Sequence, residues 1–305
     1  MKTKLWLVVI AALALMPEVR AEEFIEEYSE EDINEAEMPT VKEDGTPYGW
    51  RAKLNRASLA VTSTHVDNAK EYRNSPNAKL SGDSETVTKG TLDFALEYDQ
   101  PNYLWTNALF AEYGKTKLKP VDGPDVTSEN SDKILLSTDY ARKLWRYEEA
   151  DIGPFVNLAY QTEFEPNDGA PRTKIIRGMG GIKMFEGSYI KNLYAAALGE
   201  YDFTYDDAVS KLGYEIGLKA EYPLREGVKF DVDAYYRDYV SYSRYQATDF
   251  EYELSATGRM MVDVYKDFAF GPYIEYFQAK DRGSRKEGSS TIIGVSVDYS
   301  GLWNL

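Results

Sequence analysis

The stretch KLGYEIGLKAEYPLREGVKFDVDAYYR, Lys211 to Arg237, holds two runs of strict alternation on either side of a short turn. Leu212, Tyr214, Ile216, Leu218, Ala220 and Tyr222 alternate with Lys211, Gly213, Glu215, Gly217, Lys219 and Glu221. After Pro223 to Gly227, Val228, Phe230, Val232, Ala234 and Tyr236 alternate with Lys229, Asp231, Asp233, Tyr235 and Arg237. Successive side chains of a strand point to opposite faces, so this spacing predicts a hairpin with one apolar and one charged face. Which face points inward decides the fold.

The same beat recurs from Tyr48 to the C-terminus in twelve segments. The first, Tyr48 to Thr64, changes phase around Arg56, which predicts a bulge. Links such as Asp99 to Asn102, Glu186-Gly187 and Tyr265 to Asp267 are short, whereas His65 to Glu85, Lys115 to Asn130 and Asp281 to Ser289 are long and polar. Short turns at one end and long loops at the other are the signature of an antiparallel up-and-down transmembrane β-barrel, with both termini at the short-turn end.

Size and height orient the faces. Twelve strands enclose a wider space than one layer of Val, Leu and Tyr closes, so the charged row is expected inside and the apolar row against lipid. Ten steps from Leu212 to Tyr222 at ~3.3 Å, tilted by roughly 40°, give a band about 25 Å high, which fits an outer membrane. Lys211, Glu215, Lys219, Lys229, Asp231, Asp233, Arg237, Glu251, Glu253, Arg259 and Asp263 are then the expected lumen lining. Trp105, Tyr113, Tyr214, Tyr222 and Trp303 are the expected interfacial aromatics. The 25 Tyr in a chain of 305 residues fit such girdles.

Residues 1–21 read as a signal peptide: Lys2 and Lys4, an apolar run Leu5 to Met16, and a small-residue end at Ala21. The run is too short to span a bilayer as a helix, for which about 20 residues are needed, so the segment is expected to be cleaved on export. Residues 22–47 form an acidic arm in which Lys42 is the only base, expected to be a disordered periplasmic lead-in or a plug that enters the lumen. Residues 48–305 are the barrel. This places the protein in the outer membrane of a Gram-negative cell.

The segments Trp105 to Lys115, Asn130 to Ile134, and Phe155 to Phe164 followed by Arg177-Gly178-Met179-Gly180-Gly181 resemble the salt-induced outer membrane proteins and related barrel families of unknown function. The resemblance spans roughly Leu92 to Tyr222. It implies an outer-membrane barrel and brings no catalytic residues. The terminal run Gly294 to Leu305 resembles the last-strand assembly signal of such proteins, though it ends on Leu305 with Trp303 two residues earlier.

Chemistry is sparse. With no cysteine there is no disulfide, thiol nucleophile or thiolate metal site, and a net charge of -16 leaves no basic footprint for nucleic acid. His65, the single histidine, lies near Ser63 and Asp67; a lipid hydrolase using His65 as general base is the one enzymatic arrangement available. A solvated turn accounts for Asp122-Gly123-Pro124-Asp125 with Glu129 better than a cation loop. No cofactor or metal is expected. The expected function is a narrow channel for small polar solutes or ions, and the alternative is a structural or surface-interaction barrel with a salt-bridged, closed lumen. Expected partners are outer-membrane lipid and lipopolysaccharide, and the assembly machinery through the last strand.

Overall fold

The computed structural model describes residues 26–27, 41–42, 45–72, 78–80, 83–119, 126–165, 171–247 and 249–305. The expected signal peptide, most of the acidic arm and the Asp122 to Asp125 turn lie outside them. Twelve long strands are present: β1 Gly49–Asp67, β2 Asp83–Asp99, β3 Tyr103–Lys119, β4 Val126–Arg142, β5 Ala150–Thr162, β6 Ile175–Phe185, β7 Ile190–Asp202, β8 Val209–Arg225, β9 Val228–Tyr242, β10 Phe250–Tyr265, β11 Phe268–Asp281 and β12 Gly288–Asn304. Each pairs antiparallel with its neighbour in sequence, and β12 returns to β1 with Val295 opposite Val61, so the sheet closes into a barrel without an edge. Two short strands add to one end: Trp145–Tyr147 lies against the start of β5, and Glu26–Glu27 pairs with it in turn.

The predicted phase change is a bulge at Asn55. Both partners of β1 skip that residue, with Leu54 and Arg56 opposite Phe94 and Asp93 of β2. The extra residue keeps Ala52 and Leu54 on the same face as Leu59 and Val61. The opening hairpin pairs as its pattern requires: Tyr222 with Phe230, Ala220 with Val232 and Ile216 with Tyr236 on one face, Glu215 with Arg237 and Lys219 with Asp233 on the other.

The apolar face is outside. Leu59, Val156, Leu212 and Ile293 are 60 to 68% exposed, whereas Glu215 and Glu200 on the opposite face are 3 and 4% exposed. Only a lipid solvent makes that distribution favourable, because a continuous exposed apolar belt in water is an aggregation surface. Aromatic rings bracket the belt. At the short-turn end Trp50 contacts Tyr98 and Trp105 (centroids 4.9 and 5.9 Å), Tyr103 stacks on Tyr140 and Tyr189 on Tyr222. At the long-loop end Tyr113 meets Phe164 edge-on, and Tyr236 lies between Tyr214 and Tyr252. The expected interfacial residues Trp105, Tyr214, Tyr222 and Trp303 are 38 to 45% exposed, and Tyr113 is half-buried.

The strands are longer than the alternation indicated. β2 begins at Asp83, and β3 and β4 reach Lys119 and Val126, so the loops expected from His65 to Glu85 and from Lys115 to Asn130 are partly strand. Strands of 17 to 19 residues exceed the 9–11 that cross a bilayer, and the surplus stands above the belt as a polar collar. Its outer face carries His65, Asp67, Gln278 and Lys280 where the belt carries Val61 and Ile274. Polar collar positions give no apolar beat, which is why the sequence pattern stopped short of them.

Two residues of the first long loop turn inward. Tyr72 and Leu80 are fully buried against Phe277 and Ala279 on the inner face of β11. The Tyr72 hydroxyl donates to the carbonyls of Lys286 (2.8 Å) or Ala279 (3.1 Å). Room for the ring comes from Gly288, where a Cβ would lie 2.8 Å from it.

Candidate functional site in the barrel lumen

The lumen is organised in three levels from the long-loop end to the short-turn end. The uppermost is a layer of ion pairs. Cross-strand register places Glu215, Arg237 and Glu253 side by side on β8, β9 and β10. The Arg237 guanidinium donates to Glu215 Oε2 at 2.5 Å, to Glu253 Oε1 at 2.6 Å and to the Tyr239 hydroxyl at 3.3 Å. Arg177, Glu200 and Lys211 form a second row on β6, β7 and β8, with contacts of 2.7 and 2.9 Å. A third group joins Lys89 to Glu112 (3.0 Å) and Glu275 (3.6 Å), and Lys79 from the inward loop also bonds Glu275. Glu200, Glu215, Glu253, Glu275, Arg177 and Arg237 of this layer are 3 to 8% exposed, and Glu112 is half-buried. Pairing with opposite charges is how a lumen tolerates such burial.

Gly217 shapes this layer. It stands opposite Tyr194, and a Cβ there would lie 2.3 Å from the tyrosine ring. The ring therefore lies flat over the glycine and delivers its hydroxyl to Glu215 Oε1 at 2.5 Å. Gly217→Val is expected to displace Tyr194, remove that hydrogen bond and lower the unfolding midpoint. Ultraviolet difference spectra of tyrosine and a denaturant titration check both effects, and an unchanged midpoint contradicts this packing.

The middle level is wet. Lys219 and Asp233 face each other across β8 and β9, Asp263 lies on the inner face of β10, and all three are exposed although they point inward. Asp231 stands opposite Arg259, both half-buried, and Lys229 bonds Glu221 at 3.0 Å. These side chains line a solvent-accessible space below the buried layer. Of the expected lumen set, Glu251 alone is placed elsewhere. A bulge between Phe250 and Tyr252 lets its carboxylate reach Lys280 at 2.5 Å, and Lys280 stands on the outer face opposite Tyr252. One inserted residue reversed the side on which Glu251 acts.

The lowest level closes part of the short-turn end. Leu104, Ala141, Phe155, Phe185 and Ala196 pack inward beneath β3 to β7, with Met179 and Tyr194 against them. Beside this cluster Asp99, fully buried, receives Lys143 at 2.7 Å, Arg51 at 3.1 Å and Lys42 at 2.6 Å. Lys42 belongs to the arm, and Val41 bridges to Pro47 just before β1. Glu186, in the turn after β6, takes Lys143 at 3.1 Å, Lys42 at 3.3 Å and Arg51. These residues come from turns and strand ends far apart in sequence, where no periodicity marks them.

Burial alone would raise the Glu186 carboxyl, but Lys143, Arg51 and Lys42 outweigh it and hold the group below its ordinary value of 4.5. Burial likewise works against the Lys143 ammonium, and Glu186, Asp151 and Asp99 together raise it above 10.5. A depressed carboxyl contributes stability that is present above pH 4.5 and lost as pH falls through the folded value. The raised ammonium contributes stability present below pH 10.5 and lost as pH rises through its folded value. Denaturant midpoints of the detergent-solubilised barrel should fall below about pH 4.5 and respond less to acid in Glu186→Gln. Equal acid sensitivity in both proteins contradicts this cluster's role.

His65 lies on the outer face of the collar, its side chain 73% exposed and its imidazole 3.8 Å from Asp67. Ser63 shares that face two residues away, opposite Ile293. The pair stands outside the lumen.

A family described as "Protein of unknown function (DUF3078)" matches residues 75–167, from the end of the inward loop through β5. No curated protein matches the chain. Among solved structures, an outer membrane channel from Pseudomonas putida F1 is similar at 9% identity, covering 84% of this chain and 96% of that one, with a TM-score of 0.49. The outer membrane channel DcaP of Acinetobacter baumannii is similar at 9% identity over 86% and 99% of the two chains, with a TM-score of 0.42. The translocator domain of the autotransporter NalP from Neisseria meningitidis is similar at 13% identity over 84% and 90%, with a TM-score of 0.33. These are likenesses of barrel fold between chains that share little sequence.

Proposed function

We propose that the protein resides in the outer membrane of a Gram-negative envelope and provides a narrow, gated path for small polar solutes, with a preference for cations. The first 21 residues are its export signal in this reading, the long loops face outward, and β12 carries the signal for assembly. The wet vestibule ending on the buried ion-pair layer is the observation that supports it. In that vestibule the acids Glu221, Asp231, Asp233 and Asp263 stand against Lys219, Lys229 and Arg259. Rings of surplus acid favour cations over anions. The triple change Asp231→Asn, Asp233→Asn, Asp263→Asn should shift the reversal potential under a salt gradient toward anions. An unshifted potential with conductance intact contradicts this selectivity.

A second reading has its own support. The ion-pair layer around Arg237 and the buried Tyr72 and Leu80 lie across the long-loop end, which supports a structural barrel with a sealed lumen. Under that reading, correctly folded protein shows no conductance steps even after the inward loop is released.

A further inference from the structure

Above the apolar belt, on the outer face of the barrel, lies an open pocket of about 540 Å³ between the collar strands and the last long loop. Its wall is formed by Tyr276, Gln278 and Lys280 of β11 with Ser289 of β12, and its rim by Arg285 and Lys286. These strand positions share a face with the lipid belt: Ile274 precedes Tyr276 on β11, and Ile293 lies two alternations below Ser289 on β12. Ile274 and Ile293 are 50 and 61% exposed. The pocket thus sits where the headgroup of an outer-leaflet lipid would sit if its chains ran down the belt.

Its charges point to the headgroup's chemistry. Lys280 is committed to Glu251 at 2.5 Å, and Glu287 accepts a hydrogen bond from Gln278. Asp67, at the far side, lies 3.8 Å from His65. Among the described residues neither the Arg285 guanidinium nor the Lys286 ammonium has a hydrogen bond or ion pair, and both residues are exposed. A guanidinium beside an ammonium, with neutral donors such as Ser289 behind them, matches a phosphate oxygen set. We infer that this pocket holds the phosphorylated headgroup of an outer-leaflet lipid whose acyl chains pack on the Ile274 and Ile293 side of the belt. The inference rests on the outer-membrane placement proposed above and is independent of conduction, so a failed conductance test leaves it standing.

The test uses the full barrel in maltoside micelles, titrated with a bisphosphorylated glucosamine-disaccharide lipid and, separately, with phosphatidylethanolamine and inorganic phosphate. Bound lipid is counted by native mass spectrometry. The wild type should retain the bisphosphorylated lipid, and Arg285→Gln with Lys286→Gln should weaken that retention at least tenfold, leaving phosphatidylethanolamine retention unchanged. Inorganic phosphate alone should compete poorly, because it lacks the chains. Equal retention by variant and wild type, parallel loss of both lipids, or full competition by inorganic phosphate would each overturn the inference. Both substitutions lie on an exposed loop, and unchanged heat-modifiable migration on a gel verifies that the variant is folded; Lys286→Gln alone, expected to show an intermediate loss, provides a second variant.

Discussion

Arg237→Ala is expected to lower the stability of the folded barrel by about 3–5 kcal/mol, the range measured when one partner of a buried ion pair is removed. Among the described residues Arg237 is the only cation bonded to both Glu215 and Glu253, and these acids are 3 and 8% exposed. Without it two carboxylates face each other in register on either side of an alanine. Arg237→Lys should recover only part of the loss, because one ammonium cannot reproduce two divergent guanidinium contacts. By contrast Glu251→Ala, which breaks the half-exposed pair with Lys280 on the outer face, should cost less than about 1 kcal/mol. Denaturant midpoints in detergent, scored by heat-modifiable migration, separate the two. Equal effects from Arg237 and Glu251 would show that the layer is not the buried network described.

The second large effect concerns the inward loop. Truncating Tyr72 and Leu80 to alanine should release the loop and raise single-channel conductance severalfold. The loop is held at the mouth by two fully buried side chains and by the Tyr72 hydroxyl. Large-to-alanine changes at buried sites cost about 2–5 kcal/mol each, more than a surface loop retains to stay docked. The barrel itself should remain folded, because its strands pair independently of this loop. Gly288→Val tests the same contact from the other side: a side chain there collides with the Tyr72 ring and should produce the same gain. Limited proteolysis within residues 68–82 should quicken in parallel. Unchanged cleavage and conductance in both variants contradict the docking.

Much of this fold was legible in the sequence for one physical reason: a lipid-facing row must alternate with an inward row, and that constraint marks every residue of the belt. The twelve strands, the Asn55 bulge and the orientation of the Lys211 to Arg237 hairpin all follow from it. Glu215 and Arg237 were legible as inward-facing charges, whereas their pairing follows from the register of the closed hairpin. The pattern lost force wherever that constraint lapsed. Above the belt both faces are polar, so the collar of β2, β3 and β4 carried no signal. At Glu251 a bulge changed the phase without leaving a mark in the polar alternation. Lys42, Asp99, Lys143 and Glu186 meet from turns and strand ends, and only the closed barrel brings them together. Tyr72 and Leu80 lie in a loop, and nothing local distinguishes a loop that docks inward from one that faces water.

If the charged lumen is a path, its narrowest points are the ion-pair layer and the docked loop. Single-channel recording of folded wild type beside Tyr72→Ala, Leu80→Ala tests it most directly. Small, cation-preferring steps in the wild type and larger steps of the same preference in the variant are predicted. Silence from both, with folding verified on the same samples, would contradict it.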